Sequence, residues 1–221
     1  MLVDIRLGCL ARGIGYQEID DATPFLDHCR NIIFEQFRES DCDWGLWSDA
    51  DVYADAELVF DLMHRDEEII ARGYPIRGVP DSRNPPLDLA GLVDPTTKLN
   101  LWTIWPRYDG TEIVWSEDRR LLEITCTGMG WTLMRRSVAD DMAKFAGFCP
   151  PDVTGRRSID AFTRKANDDG VMCFEDASFC NLWVQKMGRR MWCAPDGYIT
   201  NKDVGGVYGE LLAEYGSAVQ R

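Results

Sequence analysis

One short apolar run decides much of what this chain can become. Trp44-Gly45-Leu46-Trp47-Ser48 has the length of a buried strand and ends in Asp49-Ala50-Asp51. Stretches of helical periodicity flank it. Before it, Phe25, Leu26, Cys29, Ile32, Ile33 and Phe37 recur at spacings that give a helix one buried face; after it, Leu58, Val59, Leu62 and Met63 repeat the pattern, with Asp55 placed to cap the helix. A strand between two amphipathic helices predicts an α/β domain with helices packed on a sheet, whose ligand crevice lies beyond the carboxyl ends of the strands. Asp49 and Asp51 would emerge there and, two residues apart on an extended chain, point the same way. Two hard oxygen ligands sharing one direction suit Mg²⁺ or Mn²⁺. The competing reading of Asp49-Ala50-Asp51 is a solvated turn and helix cap.

The same alternation continues along the chain. Met1 to Ala11 reads as a strand; Thr23 and Pro24 supply an N-cap and a first helical position for the helix that follows. Glu68 to Tyr74 reads as a further buried strand. Pro75 to Pro106, rich in proline, aspartate and glycine, reads as a long loop over the crevice, broken by a short strand at Leu99 to Thr103. Leu121 to Met134 gives two extended runs interrupted by Thr127-Gly128-Met129-Gly130. Ser137 with Asp140 fits a capping box for a helix through Phe145. Cys149 to Gly170 is polar and reads as a mobile connection. Glu175 to Met187 has Phe179, Cys180, Trp183 and Met187 on one helical face, Gly188 stops it, and Arg190 to Ala194 forms a last short strand. With no internal repeat and no break in composition, residues 1–221 read as one domain, with 75–120 as a loop region on the acceptor side of the crevice.

Charge narrows the function classes. A formal net charge of −13 argues against a protein that grips nucleic acid through a broad basic face. It also makes a bound cation useful, because a bare diphosphate would be repelled. The eight cysteines contain no C-x-x-C pair, and two histidines are too few for a zinc framework, so the thiols read as reduced core residues. The first residues carry Asp4 and Arg6 within a short apolar segment and resemble neither a secretory signal nor a membrane span. A cytoplasmic protein is expected, in the host cytoplasm if a virus encodes it.

Five segments carry a family resemblance when taken in order: Arg30-Asn31; Ser48-Asp49-Ala50-Asp51; Gly73-Tyr74-Pro75-Ile76-Arg77; Thr127-Gly128-Met129-Gly130-Trp131; and Phe174-Glu175-Asp176-Ala177-Ser178-Phe179-Cys180. Together they resemble blocks of GT-A fold glycosyltransferases, in particular small family-2-like transferases of bacteria and their viruses, over roughly Asp27 to Tyr208. The resemblance implies a Rossmann-like, mixed but mainly parallel central sheet flanked by helices, with an abbreviated N-terminal part. It implies a nucleotide-sugar donor, a UDP-sugar by family preference, bound by Arg30, Asp49, Ala50, Asp51 and Arg77. Mn²⁺ or Mg²⁺ would be held by Asp49 and Asp51. Asp203 would stand where the family often has a histidine ligand, with a plain polar turn as the competing reading.

Asp176, with Glu175 second, would act as the base that takes the proton of the acceptor hydroxyl in an inverting transfer. An unperturbed aspartate titrates at about 3.9, so burial or a neighbouring carboxylate would have to strengthen it as a base. Gly128 would let backbone approach the acceptor, as would Gly130, with Met129 and Trp131 beside them. Trp102, Trp105, Trp115 and Trp131 are candidates for stacking on a sugar ring, although core packing is the commoner use of tryptophan. The acceptor is left open among glycan, protein, small molecule and modified base. Two rivals stand beside this reading: a haloacid-dehalogenase-like phosphatase, whose aspartate nucleophile normally follows the first strand, and a non-catalytic GT-A-like domain that binds a glycan or partner.

Overall fold

The computed structural model describes residues 2–21, 25–49, 52–74, 103–118, 120–152, 155–195 and 199–201. The elements are α1 (Leu2–Ala11), α2 (Leu26–Glu39), β1 (Trp44–Ser48), β2 (Val52–Ala54), α3 (Glu57–Arg65), β3 (Ile69–Ala71), β4 (Ile104–Pro106), β5 (Tyr108–Asp109), β6 (Glu112–Ile113), β7 (Leu122–Thr127), β8 (Trp131–Arg135), α4 (Arg136–Ala146), α5 (Glu175–Cys180), β9 (Met191–Cys193) and β10 (Ile199–Asn201). Beyond Cys180 the helix continues through Asn181–Lys186 in a wider π-helical winding.

A six-stranded sheet in the order β1-β8-β3-β9-β7-β4 forms the middle layer. Its strands are apolar on both faces, and alternate residues feed two separate cores. Ile69 and Ala71 of β3, Met134 of β8, and Met191 and Cys193 of β9 face the core built with Phe34 and Phe37 of α2, Val138 and Met142 of α4, and Phe179 of α5. Ile70, Leu133 and Trp192 face the other, built with Ile5 and Cys9 of α1 and Val59, Phe60 and Leu62 of α3. The result is an α/β fold of three layers.

The expected mainly parallel sheet is corrected by the strand pairing. Among the described residues of this sheet only β3 and β9 pair in parallel; β1–β8, β8–β3, β9–β7 and β7–β4 are antiparallel. The physical reason lies in β8. Strands β1 and β3, joined through α3, run in the same direction as a crossover requires, yet β8 lies between them and runs against both. β7 and β8, consecutive in the chain, are separated in the sheet by β3 and β9. Residues 128–130 therefore form a crossing and not a hairpin turn.

Three further expectations are corrected. Residues 2–11 form a helix, whose Ile5 and Cys9, four apart, share the buried face. Ser137 lies inside α4, which starts at Arg136 with no side-chain cap, so the capping box does not form. The polar stretch after Cys149 is packed: Ile159, Ala161 and Phe162 are fully buried, and bridges pair Phe148 with Ile159 and Ala166 with Met172. The Asp55 cap does form, its carboxylate accepting the Glu57 N–H at 2.9 Å. The Thr23-Pro24 start of α2 and the strand expected at Leu99 to Thr103 lie wholly or mostly outside the described residues. All eight cysteines are free thiols. Among the described residues, no helix is long and apolar enough to cross a membrane.

Candidate functional site

The site gathers around a guanidinium. Arg30 is carried on the face of α2 that also buries Asn31, Phe34 and Phe37, so its stem is packed and its head is held at the sheet's edge. Its Nη2 donates to Asp49 Oδ1 at 3.1 Å, and its Nη1 lies 3.4 Å from Glu175 Oε1. Arg30 and Glu175 are nearly inaccessible, with side chains 8 % exposed; Asp49 is 39 % exposed. The arginine thus binds the end of β1 to the first turn of α5, segments 126 residues apart in sequence.

Asp176 follows Glu175 on that turn and accepts the Ala177 N–H at 2.6 Å. Burial raises its pKa above the ordinary aspartate value, and the Glu175 and Asp49 charges push the same way, against the Ala177 bond and Arg30. A carboxylate so placed is a stronger base than a solvated one.

Tyr74, just beyond β3, completes the cluster. Its ring is buried and its hydroxyl accepts the Gly130 N–H at 3.0 Å. The same hydroxyl lies 3.2 Å from the Gly128 carbonyl and 3.5 Å from Asp49 Oδ2. Burial, followed by the Asp49 charge, pushes its pKa well above the usual tyrosine range. A Cβ at Gly130 would stand 2.2 Å from the Tyr74 hydroxyl and 2.6 Å from Asp49 Oδ2, so glycine is required by close approach. Between the two glycines, Met129 holds a left-handed backbone with φ of 57° while its side chain is buried.

The neighbouring segment is fixed by Asn31. Its Oδ1 accepts the N–H groups of Ala161 at 3.1 Å and Phe162 at 2.7 Å, and its Nδ2 donates to Thr163 Oγ1 at 3.1 Å. Phe162 then stacks on Phe179 at 4.8 Å and meets Phe34 edge-on at 5.5 Å, with Trp47 of β1 at 5.3 Å. This aromatic cluster underlies Arg30 and α5 and holds them in register. Sequence reasoning named Asn31 and Tyr74 as parts of motifs but gave neither a role. The signal for Tyr74 was the pair of glycines at 128 and 130, which left room for something other than an acceptor.

The predicted site residues thus divide into three sets. Arg30, Asp49, Glu175 and Asp176 come together. Gly128 joins them, but the space beside it is filled by Thr103 and the Tyr74 hydroxyl. Met129 and Trp131, expected to meet an acceptor, are buried in the two opposite cores. Trp105 is exposed and Trp115 half-buried. Ala50, Asp51, Arg77, Trp102 and Asp203 lie outside the described residues.

As a host for a divalent ion, the described part of the site offers Asp49, which is partly exposed and whose Oδ2 lies 3.5 Å from the Tyr74 hydroxyl. Among the described residues no three acidic, histidine or cysteine side chains gather as a metal cage. One or two carboxylates completed by substrate phosphates is a common way to hold Mg²⁺, and Asp49 fits that mode.

The fold defines a three-layer α/β protein with a charged cluster at the carboxyl ends of β1 and β3. No protein-family model and no curated protein matches the sequence. Among solved structures, the crystal structure of A197 from STIV is similar at a TM-score of 0.44 and 15 % identity, over 92 % of this chain and 87 % of that one.

Proposed function

We propose that this protein is a metal-dependent glycosyltransferase that moves a sugar from a nucleotide-sugar donor, a UDP-sugar, to an acceptor hydroxyl with inversion. The observation that carries the reading is convergence: Arg30, Asp49, Tyr74, Glu175 and Asp176, from four of the five motif segments, meet around one guanidinium at the strand ends. Mn²⁺ or Mg²⁺ would be held by Asp49 together with Asp51, and by Asp203 in the family's histidine position. Bound there, the ion would neutralise charge on the departing diphosphate. Arg30 supplies a fixed positive charge that keeps Asp49 oriented. Asp176 takes the acceptor proton at a carboxylate oxygen, its buried position strengthening it as a base, and Glu175 holds the helix start in place through Arg30.

The phosphatase rival regains one argument, since residues 2–11 are helical and β1 is the first strand among the described residues. Asp49 keeps its Oδ1 on Arg30 at 3.1 Å in either reading, so turnover is what separates them. Incubation with UDP-sugars and with a generic phosphoester, with and without Mn²⁺, separates the readings. Metal-dependent release of UDP supports the transferase; release of phosphate from the phosphoester alone supports the rival; turnover of neither supports a binding domain.

A further inference from the structure

The Tyr74 hydroxyl stands between two acceptors with a single proton to give. A phenol donates one hydrogen bond and accepts others. It receives the Gly130 N–H at 3.0 Å, so its own proton goes either to the Gly128 carbonyl at 3.2 Å or to Asp49 Oδ2 at 3.5 Å. The backbone of Tyr74 is pinned independently. Its N–H donates to Thr103 Oγ1 at 3.2 Å, its carbonyl accepts the Thr103 N–H at 3.0 Å, and the Thr103 carbonyl accepts the Gly128 N–H at 2.8 Å. Asp49 is tied to the same crossing by its own N–H, which donates to the Gly130 carbonyl at 3.1 Å. The space beside Gly130 is filled by this hydroxyl and the Asp49 carboxylate, and that beside Gly128 by the hydroxyl and Thr103.

From this geometry we infer that Tyr74 is a positioning residue: its hydroxyl sets the place of the Asp49 carboxylate against the 128–130 crossing. The inference rests on the transferase reading for its functional consequence, though not for its structural content. A cation held by Asp49 Oδ2 would leave the Tyr74 proton to the Gly128 carbonyl, the nearer of its two acceptors.

The test uses the full-length protein with Tyr74→Phe, which keeps the ring in its buried place, and Thr103→Val, which loosens the Tyr74 backbone but leaves the hydroxyl. Amide hydrogen exchange followed by NMR is the first readout. Tyr74→Phe should speed exchange at Gly130 and Asp49 specifically, whereas Thr103→Val should affect Tyr74 most. The second is titration with UDP in the presence of Mn²⁺, where removing a residue that orients a metal ligand weakens binding by about 10- to 100-fold. Tyr74→Phe should show that loss and Thr103→Val should not. In an Asp49→Asn background, Tyr74→Phe should add nothing further. Should Tyr74→Phe fail to fold, the wild-type protein still decides: a slowly exchanging Tyr74 hydroxyl proton with a cross-peak to the Gly130 amide supports the inference, and a rapidly exchanging one overturns it. Unchanged exchange at Gly130 and Asp49 in Tyr74→Phe also overturns it. Absence of any UDP binding by the wild type, with the exchange result as expected, removes the transferase reading and leaves Tyr74 as the residue that positions Asp49.

Discussion

Arg30 and Arg72 are both buried arginines, on opposite sides of the sheet, and their partners make them different. Arg72, 2 % exposed, meets Asp61 at 2.5 Å, and that carboxylate is 44 % exposed and also pairs with Arg65 at 3.0 Å. Its partner can turn to water. Arg30 is spread over Asp49 and Glu175 at longer distances, with Asp176 contributing a third negative charge nearby. Glu175 is nearly inaccessible to solvent, so the group leans on Arg30 for its charge balance. A buried ion pair costs desolvation wherever it sits, and structures gain little from it unless geometry is good. The unevenly shared arginine, among more carboxylates than it can satisfy, is the one with the character of a site.

The largest expected effect separates chemistry from packing. Asp176→Asn should lower transfer by about 10²- to 10⁴-fold, the usual contribution of a positioned base, measured as UDP release. The same variant should raise the melting temperature at neutral pH. The folded-state pKa of Asp176 is raised, so its contribution to stability is present in full below the unfolded aspartate value and is lost as pH rises through the folded value. At neutral pH the ionised side chain is a net cost that asparagine removes. The gain should shrink as pH falls through the raised folded value and the wild-type carboxyl takes up its proton, and scanning calorimetry as a function of pH reads it directly.

Next in size is Arg30→Met. It strands the buried Glu175 carboxylate and should cost about 3 kcal/mol in urea unfolding, with loss of transfer besides. Asn31→Ala removes the acceptor of two buried N–H groups and should cost about 2 kcal/mol, with faster amide exchange at Ala161 and Phe162. Arg72→Met is the contrast. Because Asp61 keeps Arg65 and water, unfolding free energy should change by no more than about 1 kcal/mol and transfer should be untouched. Equal effects for the two arginine variants would dissolve the comparison.

Much of the fold was legible because its elements have clean periods. The apolar stripes at 26–37 and 58–63, the Trp44–Ser48 run and the pair of strands about 127–130 all appear where the spacing put them. Helix α1 was misread because its segment is apolar with only two charges inside it; the i, i+4 pair Ile5 and Cys9 was too thin a signal. Strand direction is not written in local sequence at all: β8 reads the same whichever way it runs between β1 and β3. The packed stretch around Ile159 to Phe162 looked mobile because it is polar, and its backbone is satisfied by one side chain, Asn31, about 130 residues earlier. The site was legible as far as its charged residues. Tyr74 was not, because a buried phenol acts through distances that only the fold supplies.

If the Arg30 cluster is the donor site proposed above, its Asp49 carboxylate works with a divalent cation. Isothermal titration of the wild type and Asp49→Asn with UDP, with and without Mn²⁺, tests it most directly. The wild type should bind UDP strongly only when Mn²⁺ is present, and Asp49→Asn should lose this dependence together with most of the affinity. UDP binding that is indifferent to Mn²⁺ and to Asp49→Asn, or no UDP binding by the wild type, would contradict it.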